Sequence, residues 1–152
     1  MKKILFALVC FVLPFAIAQD VMRIVILPFN ASSSIEAYGL GLATSLQRSL
    51  NAINNVYVPP VGDAFQVTQR LLQTEQINPA NVASAFDAGV LIAGDIKEEA
   101  NNTGSVLLGF SGPDYPESKQ VEVTVPLDSP RALVQQVTDA ILRELNLNAT
   151  PD

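Results

Sequence analysis

At 152 residues, with 49% hydrophobic and 16% charged residues, the chain has the composition of one globular domain. Nine basic residues against 15 acidic ones give a formal net charge of −6. That balance argues against nucleic acid or an anionic membrane surface as a partner, since both are held chiefly through Lys and Arg. There is no histidine, and Cys10 is the only cysteine, so histidine-based triads, cysteine nucleophiles and zinc sites lack their working groups.

The chain opens as an export leader would. Lys2 and Lys3 form a basic start, Ile4–Phe15 is apolar, and Ala16-Ile17-Ala18 supplies a small-x-small cleavage pattern, so residues 1–18 are expected to be removed before Gln19. The uncharged run from Ile4 to Gln19 is short of the roughly 20 apolar residues that a spanning helix needs; a retained N-terminal anchor is the alternative. Cys10 follows Ala7-Leu8-Val9, with no small residue directly before it, and does not read as a lipid-modified cysteine. Cleavage leaves 134 residues, no cysteine and a net charge of −8. The fold must then be held by its core alone, at a size where about two-thirds of the unfolded surface is buried.

Met22–Phe29, MRIVILPF, is nearly continuously apolar, the pattern of a strand covered on both faces, with Pro28 near its end because proline removes a ladder donor. Asn30–Ser34 reads as a loop. Ile35–Ile53 reads as a helix with Leu42, Leu46, Leu50 and Ile53 on one face beside Ala43. Gly39 and Gly41 weaken its first turns, so regular helix is expected from about Leu40. Asn54-Asn55 ends it, and Val56-Tyr57-Val58 is a short strand stopped by Pro59-Pro60. Strand, helix and strand at this spacing make a right-handed parallel crossover.

Asp63 is the expected cap of a second helix, Ala64–Gln76, with Phe65, Leu71 and Leu72 as buried candidates. A short helix from Pro79 or Asn81 through Asp87 follows, with Val82 and Phe86 one turn apart and Gly89 as its left-handed cap. Val90–Ile96, VLIAGDI, is a second apolar strand and the expected neighbour of the first. Lys97–Gly104 is a polar hairpin connection, Ser105–Phe110 a strand, and Ser111–Ser118 a polar turn with two prolines. Lys119–Leu127 alternates Val121, Val123 and Val125 with Gln120, Glu122 and Thr124, which describes a strand with one wet face near an edge. Ser129 and Pro130 start the last helix, which runs to about Asn146 with Leu133, Val137, Ile141 and Leu145 on one face. Asn148–Asp152 is a frayed tail. The expected fold is a single α/β domain over 19–147, with a mixed five-stranded sheet in the order β-α-β-α-α-β-β-β-α and helices packed on it.

That order resembles the amino-terminal domain family of TolB, an anticodon-binding-like α/β domain of bacterial envelope proteins related to LpoB- and CsgG-type domains. Val25-Ile26-Leu27-Pro28-Phe29 resembles the family's first strand. Gly41-Leu42, Leu46 and Leu50 resemble the helix after it, and Ala88–Ile96 resembles a later Gly-containing strand, with Ala88 where leucine is commoner. The resemblance runs from about Arg23 to Leu145. No β-propeller follows and no acylated cysteine is present. The resemblance implies action by contact with other envelope proteins.

Serine–lysine catalysis would fall to Lys97 or Lys119, both in polar turn or edge positions where a lysine base is not desolvated. Gly39-Leu40-Gly41-Leu42-Ala43-Thr44 invites a phosphate-loop reading, but Thr44 stands where a dinucleotide fingerprint needs a small residue. Gly41 reads instead as a close helix–sheet contact. Asp95, Glu98 and Glu99 are the densest acidic group and read as a solvated turn. Glycan sequons at Asn30, Asn101 and Asn148 fall in expected loops. The sequence thus points to an exported, periplasmic or envelope-associated, non-enzymatic accessory or adaptor subunit, with no cofactor and no metal. Its partner would be another envelope protein, contacted through Gln19, Asp20, Val21 and Met22 and through Asn30, Ser32, Ser33 and Ser34. The alternative is a small-molecule or envelope-polymer binding domain using a cleft near Asn30 and Asp95. A hydrolase using Asp95 is the third class.

Overall fold

Ile24, Val25 and Ile26 are consecutive and all fully buried, which only a strand with cover on both faces allows. The computed structural model describes residues 21–74 and 77–147. In chain order its elements are β1 (Met22–Ile26), β2 (Asn30–Ala31), α1 (Glu36–Asn51), β3 (Val56–Tyr57), α2 (Val61–Gln73), α3 (Pro79–Ser84), β4 (Val90–Glu98), β5 (Thr103–Gly112), β6 (Tyr115–Pro126) and α4 (Pro130–Glu144). The leader and the tail from Asn148 onward lie outside the described residues.

The main strands run in the order β3-β1-β4-β5-β6, and the two-residue β2 also pairs with β4. β1 lies parallel to β3 and β4, with Ile24 beside Val90 and Ile26 beside Ile92, while β4, β5 and β6 form an antiparallel meander. The mixed α/β sheet expected from the sequence is present, with the first apolar strand next to the second. The expected loop after Phe29 differs in one respect, since Asn30 and Ala31 rejoin the sheet as β2.

α1 and α4 cover one face. Leu42, Leu46 and Leu50 from α1 and Leu133, Val137 and Ile141 from α4 pack on Ile24, Ile26, Ile92, Val106, Leu108 and Phe110. α2 and α3 cover part of the other face with a smaller set, Ala64, Val82 and Ala83 against Val25 and Leu91.

Several local expectations are corrected. α1 begins at Glu36, not near Leu40. Its early glycine is held by packing: a Cβ on Gly39 would stand 2.2 Å from the Phe29 carbonyl oxygen, whereas nothing lies within 4 Å of a Cβ on Gly41. The close contact therefore belongs to Gly39, and Gly41 is exposed. α2 starts at Val61 behind Pro60, and Asp63 sits inside the first turn instead of capping it. There its charge still favours the helix dipole. Val61 and Ala64 are its buried residues, Leu71 is half-buried, and Phe65 and Leu72 are 48% and 47% exposed. A narrow stripe, Val61 and Ala64, seats this helix, and Phe65 and Leu72 turn outward.

α3 ends at Ser84, and Asp87, at φ 52°, makes the left-handed turn expected of Gly89. Gly89 is small for another reason, because the Asp114 carboxylate fills the space where a Cβ would be. Asn101 and Asn102, at φ 61° and 56°, form the β4–β5 turn. Two successive positive φ values mark the primed turn that matches strand twist. The expected polar turn Ser111–Ser118 shrinks to Pro113 and Asp114, and Pro116 to Ser118 belong to β6, where an edge strand tolerates proline. Ser129 does precede α4 with Pro130 at its first turn, but its hydroxyl makes no capping bond.

Candidate functional site

Pro28 cannot donate to a ladder, and the pairing of β1 with β4 breaks there. Just before it, the Leu27 N–H donates to the Ile92 carbonyl at 2.9 Å. Phe29 then turns inward and is 4% exposed. Its ring lies on Gly94 of β4, where an added Cβ would be 2.9 Å from Cε1, and its carbonyl lies against Gly39 of α1. The Phe29 N–H donates in turn to the Gly39 carbonyl at 3.4 Å. The Leu-Pro-Phe and Gly-Asp segments that carried the family resemblance, and the first turn of α1, thus meet at Phe29, through its ring at Gly94 and its main chain at Gly39.

That junction delivers Asn30 opposite Asp95 and Ala31 opposite Ile96. The Asn30 Nδ2 donates to Asp95 Oδ1 at 3.1 Å. Beyond it Ser34 donates its hydroxyl to Glu98 Oε2 at 3.1 Å, and the Ser32 and Ser34 hydroxyls lie 3.1 Å apart. Asn30, Ser32, Asp95 and Glu98 border a shallow groove of about 470 Å³ at the carboxyl ends of β1 and β4. A second hollow of about 200 Å³ continues from Asn30 and Asp95 over Leu107, Gly109 and Gln120 on the sheet face. The shelf is exposed, rich in hydroxyl and carboxylate groups, and suited to hydrogen-bonded contact with a surface.

The structure brings Asn30, Ser32 and Ser34 together with Asp95 and Glu98, and leaves Ser33 exposed beside them. Gln19 and Asp20 lie outside the described residues. Val21 is 45% exposed, whereas Met22 belongs to β1 and donates its N–H to the Asn55 carbonyl at 2.8 Å. The two segments expected to contact a partner therefore flank opposite ends of β1.

Among the described residues, no group of three or more Cys, Asp or Glu side chains is placed to hold a metal ion. The Lys119 ammonium lies 2.8 Å from the Glu144 carboxylate, and that hydrogen bond holds its pKa above the usual lysine value. A lysine base needs the opposite shift. No described helix is long and apolar enough to cross a membrane.

Two surface features escaped the sequence reading. An apolar groove of about 260 Å³ runs between α1 and α4, bordered by Tyr38, Leu42, Leu133 and Val134 and floored by Gly41. Phe65, Leu72 and Ile77 stand exposed on and just after α2. The signal for the groove was Gly41 itself, whose missing side chain leaves the space open.

No protein-family model matches the sequence, and no curated protein matches it either. Solved structures share the fold at low identity. The lipoprotein GNA1162 from Neisseria meningitidis is 13% identical over 82% of this chain and 98% of its own, with a TM-score of 0.53. The PelC dodecamer from Paraburkholderia phytofirmans is 12% identical over 85% of this chain and 90% of its own, with a TM-score of 0.52. The LpoB C-terminal domain from Salmonella enterica is 10% identical over 69% of this chain and 82% of its own, with a TM-score of 0.50.

Proposed function

We propose that this chain is an exported, non-enzymatic accessory or adaptor subunit of the bacterial cell envelope that works by binding another protein. The observation that carries the reading is the fold, shared with the lipoprotein GNA1162 over nearly all of that chain and with LpoB over most of its C-terminal domain. The leader pattern of residues 1–18 and the TolB amino-terminal-like order of elements support the same reading. On this reading the domain spans 19–147 and resides in the periplasm or at the envelope. Its contact surface is the shelf of Asn30, Ser32, Ser33 and Ser34, together with Gln19–Met22.

Crosslinking in intact cells tests it. The wild-type chain is expected to form a defined adduct with an envelope protein, and the combined change of Asn30, Ser32 and Ser34 to Ala is expected to abolish that adduct without unfolding the domain. Recovery of the uncombined chain alone from both would count against the proposal.

A second reading rests on the Asn30–Asp95 contact at the carboxyl ends of parallel strands, a place where open α/β sheets bind ligands. There the groove would take a small polar molecule or an envelope polymer. A ligand-dependent rise in melting temperature, lost in Asp95→Asn, would favour it over the adaptor.

A further inference from the structure

β6 is an outer strand, and among the described residues only β5 pairs with it. The Leu127 N–H donates to the Asn102 carbonyl at 2.8 Å. Counting back from that bond in twos, through Val125↔Gly104, Val123↔Val106, Val121↔Leu108 and Lys119↔Phe110, gives the odd-numbered residues the bonds to β5. Ser118, Gln120, Glu122 and Thr124 therefore turn their N–H and C=O groups outward, and all four are exposed. Pro126, which shares their parity, and Pro116, past a register shift in the β5–β6 pairing, close the two ends, because proline has no N–H to offer. The open edge is a short window between two blunted ends.

We propose that this window binds a second copy of the same chain, adding its own β6 antiparallel about a twofold axis through Val121. The strand itself selects this occupant and register. Centring on Val121 places Ser118 opposite the second copy's Thr124 and Gln120 opposite the second copy's Glu122. Each proline then faces a proline, and about eight main-chain hydrogen bonds cross the axis. Centring on Gln120 or on Glu122 instead sets a proline against a residue of the window, and the latter also opposes two carboxylates. In the favoured register the Gln120 amide donates to the facing carboxylate, a complementary pair that symmetry repeats. Val121 and Val123 are only partly buried at the edge of the main core. Val121 meets its own copy across the axis, and Val123 meets the aliphatic stem of the second copy's Lys119. The two cores thereby join under one continuous sheet.

The experiment uses the full chain expressed with its leader and recovered after export. Sedimentation is expected to show a dimer that dissociates on dilution. Gln120→Glu sets carboxylates against each other, and is expected to raise the dimer dissociation constant about tenfold while leaving the melting temperature of the dissociated chain in place. Val121→Cys is expected to form a disulfide-linked dimer on oxidation, since facing residues that do not share hydrogen bonds lie about 4.5 Å apart. Val123→Cys, which faces a lysine, is expected to link about tenfold less. A chain that stays monomeric at the highest attainable concentration overturns the proposal. So does a dimer indifferent to Gln120→Glu, or equal linkage from the two cysteine variants. An edge that accepts a strand only from a different protein gives the first of these results and leaves the adaptor reading untouched.

Discussion

On one face of the sheet, α1 and α4 lay Leu42, Leu46, Leu50, Leu133, Val137 and Ile141 over a continuous apolar floor, while on the other α2 and α3 offer little more than Ala64, Val82 and Ala83 to Val25 and Leu91. The difference has two consequences. Stability resides on the first face, where large side chains interdigitate and a deletion leaves a void. On the second, a helix seated through alanine stands close to the strands but turns Phe65 and Leu72 outward. That helix layer also stops short of β6, whose Gln120, Glu122 and Thr124 stay exposed.

The same deletion on each face separates the two most clearly. Leu108→Ala, beneath α4, is expected to cost about 4 kcal/mol, and Leu91→Ala, beneath α2 and α3, about 2 kcal/mol, because the thinner layer relaxes into the gap. Urea denaturation measures both, and equal costs would show that the two faces are packed alike. A pair of glycines two positions apart tests how tightly the thick face is held to β1. Gly39→Ala forces a methyl group into the Phe29 carbonyl and is expected to destabilise by about 3 kcal/mol. Gly41→Ala meets open space and is expected to stabilise by about 0.5–1 kcal/mol through helix propensity. Opposite signs in thermal melts would confirm which glycine makes the contact.

Phe65→Ser, on the thin face, is expected to change stability by no more than about 0.5 kcal/mol, and a loss of several times that would show that α2 buries its ring after all.

The smallest effect concerns pH. Burial, and then the neighbouring Glu144, hold the Tyr115 phenol above its usual value of 10.0, and the hydrogen bond to Glu144 holds Lys119 above 10.5. Both groups bind their proton more tightly in the folded chain. Their contribution is therefore complete below the unfolded values and is lost as pH rises through the folded ones. Melting temperature should thus be level between neutral pH and about pH 10 and fall above it, with a gentler fall in Lys119→Met.

The sequence disclosed what periodicity controls. Continuous apolarity placed Met22–Phe29 and Val90–Ile96 side by side, alternation put β6 near an edge, and the spacing of Leu133, Val137 and Ile141 gave the buried face of α4. What it hid depends on tertiary neighbours. Phe65 and Leu72 look like core residues until it is known that α2 packs through Ala64. Gly39 and Gly41 are indistinguishable in a string, and only the passage of Phe29 beneath one of them decides which must lack a side chain. The candidate shelf was half legible. Asn30 and Asp95 were expected near one cleft because both stand toward the carboxyl ends of apolar strands, but the Ser34–Glu98 bond needed β2, which the two residues Asn30 and Ala31 do not announce.

The topology also sets an order of assembly. The β4–β5–β6 meander closes through turns of a few residues, whereas β1 and β2 reach β4 only across a separation of 65 residues, as between Asn30 and Asp95. Closing the longer loop costs about 2–3 kcal/mol more in chain entropy. The hypothesis that follows is a transition state in which the meander and α4 are formed and β1 is not, with Val106→Ala giving a high φ-value and Ile24→Val a low one. The reverse pattern would sink it. On this order the shelf at Asn30 comes into existence last, so a chain caught partway through folding has a hairpin but no surface to offer.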